Sequence, residues 1–188
     1  MNARSRPVIF RESSRLRLRP PTEKDLPLFA RWFNDPEVVC NLAVYLPVTE
    51  ISELVWFQTL CTTRAKTDIV LVIEAKRPRM TSIGNVGIHK IDHRNGNAEL
   101  SVAIGEKAFW GRGLGTDAMA LMIEYGFMEL NLHRIYTGAY AFNRRSIGML
   151  KTLGFIREGT QRQSVYVGGV YHDCIQFGIL REEWDRKR

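Results

Sequence analysis

The sequence predicts a mixed, mostly antiparallel α/β sheet of about seven strands with about four flanking helices. Three observations carry that reading. Two helical patterns come early, three strand-like runs then follow as a meander, and the rest alternates helix, strand, helix, strand before a last strand. A glycine-rich run, Trp110-Gly111-Arg112-Gly113-Leu114-Gly115-Thr116, joins one of those strands to the longest apolar helix.

Arg15-Leu16-Arg17-Leu18-Arg19 alternates with period two and reads as an edge strand with one wet face. Thr22 caps a helix carrying Leu26, Phe29, Ala30, Trp32 and Phe33, which Asn34-Asp35-Pro36 breaks. Thr49 caps a second helix through Leu54, Phe57 and Leu60. Strands follow at Ile69–Ala75, Ile83–Lys90 and, after the Asn95-Gly96-Asn97 turn, Ala98–Ile104. The helix from Thr116 to about Leu130 is apolar nearly all round and should be mostly buried. His133–Ala141 is strand-like, and Asn143 caps a helix showing Ile147, Leu150 and Leu153 that Gly154 ends. Strands near Ile156–Tyr166 and Tyr171–Leu180 flank a Gly168-Gly169 turn.

Composition narrows the class. With 188 residues and no repeat, low-complexity stretch or linker, the chain reads as one domain, 1–188. Its 45% hydrophobic and 25% charged content excludes a disordered or fibrous chain. No apolar run approaches the roughly 20 residues of a membrane span. Arg4 and Arg6 make the N-terminus basic without an apolar segment behind them, so a signal peptide is not expected and a cytoplasmic location is. Cys40, Cys61 and Cys174 are widely spaced and odd in number, which favours reduced thiols over a disulfide framework or a metal site. A net charge of +7 implies an anionic partner, either nucleic acid or a phosphorylated small molecule.

The glycine run favours the small molecule. Its alternate glycines permit a tight turn, and the amides of Gly111 to Thr116 at a helix start can face an anion. Neither G-x-x-x-x-G-K-[S/T] nor G-x-G-x-x-G is matched, which excludes a P-loop and argues against a dinucleotide fold. Arg144-Arg145 and the Arg15, Arg17, Arg19 stripe could serve nucleic acid, but no helix-turn-helix, zinc or RRM signature accompanies them.

Four segments together resemble one family. Glu99-Leu-Ser-Val-Ala-Ile104 precedes the glycine run, and Ala141-Phe-Asn143-x-x-Ser146 with Leu153-Gly-Phe155 follows it. Tyr166-Val-Gly-Gly-x-Tyr171-x-Asp173 comes last. In that order they resemble the GNAT superfamily of N-acetyltransferases, most of all its branch acetylating ribosomal-protein N-termini and spermidine. The likeness runs from Leu16 to about Leu180, so the domain core should be about 15–180.

The resemblance implies a GNAT-type sheet, acetyl-CoA as co-substrate, no metal, and direct attack by an amine in a ternary complex. It implies that backbone of Val102, Ala103 and Ile104 pairs with the pantetheine arm. Gly111, Arg112, Gly113, Leu114, Gly115 and Thr116 would hold the pyrophosphate, with Trp110 where many relatives carry Gln or Arg. Asn143 and Ser146 would contact the cofactor near its thiol, although Asn143 also reads as a plain helix cap. Spermidine-acetylating relatives use a tyrosine acid seven residues after the asparagine; Leu150 stands there, which leaves Ser146 as the candidate acid.

The chemistry adds its own demands. An amine acceptor, with pKa from about 8 to about 10.4, must lose a proton before it attacks. Glu99 is the expected base or water-orienter, and His89, His93 and His133 are rivals because histidine titrates near neutrality. The acceptor pocket is expected between Trp32 and Glu53, with Asp35, Glu37, Glu50 and Glu53 attracting the cation and Tyr45 and Trp56 as walls. A peptide N-terminus, amino sugar, small amine or aminoglycoside could be the acceptor, with no nucleic-acid or membrane partner and a monomer or homodimer. The alternative is a non-catalytic coenzyme A-binding sensor or scaffold of the same fold.

Overall fold

A computed structural model describes residues 8–186. Arg4 and Arg6 lie outside the described residues. In chain order the strands are β1 (Arg11–Glu12), β2 (Leu16–Arg19), β3 (Ile69–Ala75), β4 (Thr81–Asp92), β5 (Asn97–Ile104), β6 (Arg134–Tyr140), β7 (Ile156–Val167) and β8 (Val170–Leu180). The helices are α1 (Leu26–Phe33), α2 (Pro36–Val39), α3 (Glu50–Cys61), α4 (Leu114–Met128), α5 (Arg144–Leu153) and α6 (Arg181–Asp185).

The strands form one eight-stranded sheet in the order β1-β2-β3-β4-β5-β6-β8-β7. Every pairing is antiparallel except β5 with β6, the two strands that α4 connects. The sheet thus has one strand and the described helices two elements more than the sequence pattern indicated. The additions, β1, α2 and α6, are two to five residues long, too short to carry a periodicity. Because β1 covers its outer side, β2 is not the edge strand its pattern suggested.

Each face of the sheet has its own core. On one side α4 packs Leu114, Ala118, Met119, Met122, Ile123 and Phe127 against Val86, Ile88, Ala98, Leu100 and Ile135, all buried. This explains why α4 is apolar nearly all round: it lies between the sheet and α5 and α6, with Trp184 of α6 on Phe127 at 5.4 Å. On the other side α1 and α3 bury Leu26, Phe29 and Trp32 over Val72. The arginine stripe of β2 is spent inside this framework. Arg19 forks onto Asp25 at 2.8 and 2.6 Å, and Arg17 and Arg19 share Glu74.

The feature that positions the site is where β5 and β6 stop pairing. Only Asn97, Ala98 and Glu99 have partners on β6, namely Arg134, Ile135 and Tyr136, yet β5 runs on to Ile104 and β6 to Tyr140. Beyond Glu99 the two strands fork.

Candidate active site

Backbone alternation decides what β5 offers to the fork. Gly105 donates to Ile83 O on the β4 side at 2.9 Å, and Arg134 N donates to Gly96 O on the β6 side at 3.0 Å. Because the direction alternates along a strand, Ser101 and Ala103 address β4, whereas Val102 and Ile104 turn their N–H and C=O groups toward the fork. This corrects the expectation for Ala103, whose backbone is engaged within the sheet. Trp110 closes the end of the fork, its indole Nε1 donating to Ile104 O at 2.6 Å.

The glycine run sits at that end. Gly111 and Gly113 have φ of +72° and +74°, a region that favours glycine. Gly113 caps α4, which begins at Leu114. Gly115 lies within the first turn, and a Cβ there would face Ile104, Met149 and Val102 at 3.6 to 3.9 Å. Arg112 points elsewhere: its guanidinium lies over Phe109 at 5.2 Å, and it lines a separate small pocket with Arg15 and Arg77. Its backbone belongs to the turn, while its side chain lies away from the main cleft. Arg145 supplies a cation instead, over the Trp110 ring at 5.8 Å.

Across the fork, Asn143 caps α5 by accepting from Ser146 N at 3.0 Å. Its oxygen is thus committed to the cap expected from sequence. Leu150 is buried and forms part of the floor, so the position expected for a tyrosine acid is apolar. Tyr140, at the end of β6, also lines the cleft, and burial pushes its phenol above the usual range. No motif or local pattern in the sequence singles it out.

These parts surround one cleft of about 950 Å³. Val102, Ala103, Ile104, Gly111, Gly113, Leu114, Gly115, Thr116, Asn143, Ser146 and Glu99 all line it. Glu99 is the only carboxylate lining it among the described residues, and Lys90 Nζ holds its Oε2 at 2.8 Å. Pairing with Glu99 raises the Lys90 pKa.

The expected acceptor acids are elsewhere. Asp35 and Glu37 clasp Lys107 at 2.9 and 2.8 Å. Glu53 is buried in α3, Tyr45 is exposed, and Trp56 packs edge-on against Phe29. The segment contributes Val38, Asn41, Leu42 and Ala43 to the cleft instead. Of the histidines, His93 and His133 are exposed, and His93 bonds a backbone carbonyl at 3.1 Å. His89 differs: its Nε2 lies 2.8 Å from Ser101 Oγ and its Nδ1 lies 2.9 Å from Asp68 Oδ1.

Residues 15–156 match the family described as "Acetyltransferase (GNAT) domain". The chain belongs to the GNAT acetyltransferase family.

Relatives agree with that placement. The N-acetyltransferase p20 of Bacillus licheniformis is 28% identical over 174 residues, 92% of this chain and 96% of p20. YdaF of Bacillus subtilis, named for ribosomal N-acetylation, is 34% identical over 105 residues, 56% of this chain and 57% of YdaF. The fold matches that of a spermidine N-acetyltransferase from Vibrio cholerae, solved with CoA and spermine. Its TM-score is 0.82 at 21% identity, covering 92% of this chain and 99% of that one. Among the described residues no cluster of His, Cys, Asp or Glu could hold a metal ion, and no helix is long and apolar enough to cross a membrane.

Proposed function

We propose that this N-acetyltransferase moves the acetyl group of acetyl-CoA to a primary amine by direct attack within a ternary complex, as a single cytoplasmic domain. The observation that carries the reading is the fork. After three paired residues β5 keeps an open edge, and that edge runs from the Glu99 carboxylate to a helix start with two left-handed glycines.

The residues present fit coenzyme A. Val102 offers an N–H and a C=O of the kind a pantetheine amide pairs with, and the Ile104 N–H extends that edge. The amides of Gly111 to Thr116, the α4 N-terminus and Arg145 suit a pyrophosphate. Acetyl-CoA would bring an activated thioester, and the chain would hold it against the acceptor. Glu99 receives the ammonium with the oxygen that Lys90 leaves open. Ser146, in the first turn of α5, is the hydroxyl proposed to steady the departing thiolate.

The acceptor end favours a singly charged amine on a partly apolar molecule. One carboxylate, already shared with Lys90, lines the same cleft as Val38, Leu42 and Ala43, which suits a peptide N-terminus better than a polyamine carrying several charges. Thiol release from acetyl-CoA should be followed with a free-N-terminus peptide, spermidine and glucosamine as acceptors. Release with the peptide above the other two is the expected result. Binding of coenzyme A without release for any amine would establish the sensor instead.

A further inference from the structure

The cleft wall carries a hydrogen-bonded chain that acetyl transfer, as described so far, leaves unused. Asp68 lies before β3, His89 on β4 and Ser101 on β5, and the two links measure 2.9 and 2.8 Å. The polarity of the chain follows from Asp68. Its carboxyl is buried, which alone would raise its pKa, but bonds from Arg64, Thr67 and His89 outweigh burial and bring it down to about 2. An ionised carboxylate only accepts, so His89 donates from Nδ1, and the neutral form of the ring presents the Nε2 lone pair to the Ser101 hydroxyl.

The sheet is built around this contact. Gly87 is the register partner of Ser101, and a Cβ on it would come within 2.6 Å of His89 Nε2 and 2.8 Å of Cε1. The imidazole lies in the space that a side chain at residue 87 would fill. Ser101, exposed on the cleft wall, sits two residues from Glu99 on the same strand face, about 7 Å along the strand.

We propose that Ser101, backed by His89 and Asp68, takes the proton from the amine that Glu99 receives. This rests on the acetyl-transfer reading above. The ammonium N–H bond breaks as a new Ser101 O–H forms, and its electron pair stays on nitrogen for attack on the thioester carbonyl. The original Ser101 proton passes to His89 Nε2, so serine ends as a hydroxyl and histidine as imidazolium against Asp68. The partly exposed ring then returns the proton to solvent. The charged and titratable groups around it are Asp68 and Arg64 from the loop, Lys90 beside it, Glu99 across from it and Tyr136 beyond Glu99 on β6. The four charges pair off as Asp68 with Arg64 and Glu99 with Lys90.

The test is the pH dependence of acetyl-CoA turnover, with the peptide acceptor, in His89→Gln, Ser101→Ala, Ser101→Thr and Gly87→Ala. At pH 7 the first two should lose about 10²-fold in kcat, within the range of general-base losses, with KM for acetyl-CoA unchanged. The deficit should shrink as pH rises and free amine becomes abundant. Ser101→Thr keeps the hydroxyl and should recover most of the rate, and Gly87→Ala, which displaces the ring, should fall with His89→Gln. Nitrogen NMR should show the Nδ1–H tautomer of His89. A parent enzyme that turns over while His89→Gln and Ser101→Ala match its rate and pH profile overturns the relay alone, as does an Nε2–H tautomer. A parent that binds coenzyme A yet acetylates none of the three acceptors overturns the acetyl-transfer reading, and the relay with it.

Discussion

Lys90 and Glu99 meet at the mouth of the fork, Nζ to Oε2 at 2.8 Å, with Lys90 held at a φ of +52° in an irregular stretch of the β4–β5 ladder. The irregularity lies between His89 and Asp92, so it releases Lys90 from strict pairing and lets its side chain reach Glu99. In the proposed reading the pair sets the charge of the acceptor end: one carboxylate, half neutralised.

From this follows the first prediction. Glu99→Gln keeps the shape and removes the charge, so KM for the amine should rise about tenfold while affinity for acetyl-CoA stays constant. Lys90→Ala should act in the opposite direction on KM for a cationic acceptor. Both variants should melt within a few degrees of the parent, because partly exposed ion pairs contribute about 0 to 1 kcal/mol. Steady-state kinetics from pH 6 to 9 decide it. A hundredfold loss of kcat in Glu99→Gln, with KM for the amine unmoved, would make Glu99 the proton acceptor.

The glycines of the run should separate binding from stability. Gly115 has helical geometry, and a side chain there would meet Val102, Ile104 and Met149 at ordinary contact distance while narrowing the gap. Gly115→Val should therefore fold and weaken coenzyme A binding at least tenfold, about 1.4 kcal/mol. At Gly113, where φ is +74°, a Cβ would meet only the Arg15 guanidinium at 3.6 Å. Gly113→Ala should cost about 1 kcal/mol of stability through backbone strain. Calorimetry and thermal melts on both variants test the division, and unchanged affinity in a folded Gly115→Val would move the cofactor away from the fork.

Much of this was legible in the sequence. Each strand of five or more residues and each of the longer helices follows from alternation, helical spacing or a cap, because in these elements local preference and burial agree. The glycine run and the Asn143 cap were legible too, since a turn and a helix start have local signatures. The side-chain partnerships were not. Asp35 and Glu37 looked like free acids until the chain brought Lys107 beside them. The Arg112 guanidinium lies over the Phe109 ring, a contact that no local pattern announces. Asp68, His89 and Ser101 are joined only by strand register, which no local pattern encodes.

Ser146 and Asn143 give the next prediction. Ser146 lines the cleft within the first turn of α5, so a hydroxyl bonded to the thioester sulfur would stabilise charge mainly in the transition state. Ser146→Ala should lower kcat about ten- to a hundredfold with little change in KM. Asn143→Ala should also cost about 1 kcal/mol of stability, because the cap bond to Ser146 N is lost. Circular dichroism establishes folding first. If Ser146→Ala raises KM for acetyl-CoA and spares kcat, the serine binds the cofactor and solvent protonates the thiolate.

The last prediction concerns Glu53, which lies buried in α3 with its Oε2 lacking any hydrogen-bond partner. Burial pushes its pKa above the ordinary value of a glutamate, about 4.3. A raised carboxyl pKa means the folded state holds the proton more tightly than the unfolded chain. Glu53 therefore opposes folding increasingly as pH rises from the unfolded value through the folded one. Asp68 has the opposite sign: its contribution is present above about 3.9 and is lost only as pH falls toward 2, so the interval from pH 4.5 to 8 isolates Glu53. Glu53→Met should accordingly raise stability at pH 8 by about 1 to 3 kcal/mol, the range for a buried polar atom without a partner. For a chain of 188 residues each kcal/mol corresponds to about 2 to 4 °C in Tm. Near pH 4.5 the gain should be smaller, because the raised pKa keeps more of the folded parent's carboxyl protonated there than at pH 8. Thermal melts of parent and variant across that interval supply the measurement, and equal Tm differences at both ends would show that Glu53 reaches solvent rather than bearing a buried charge.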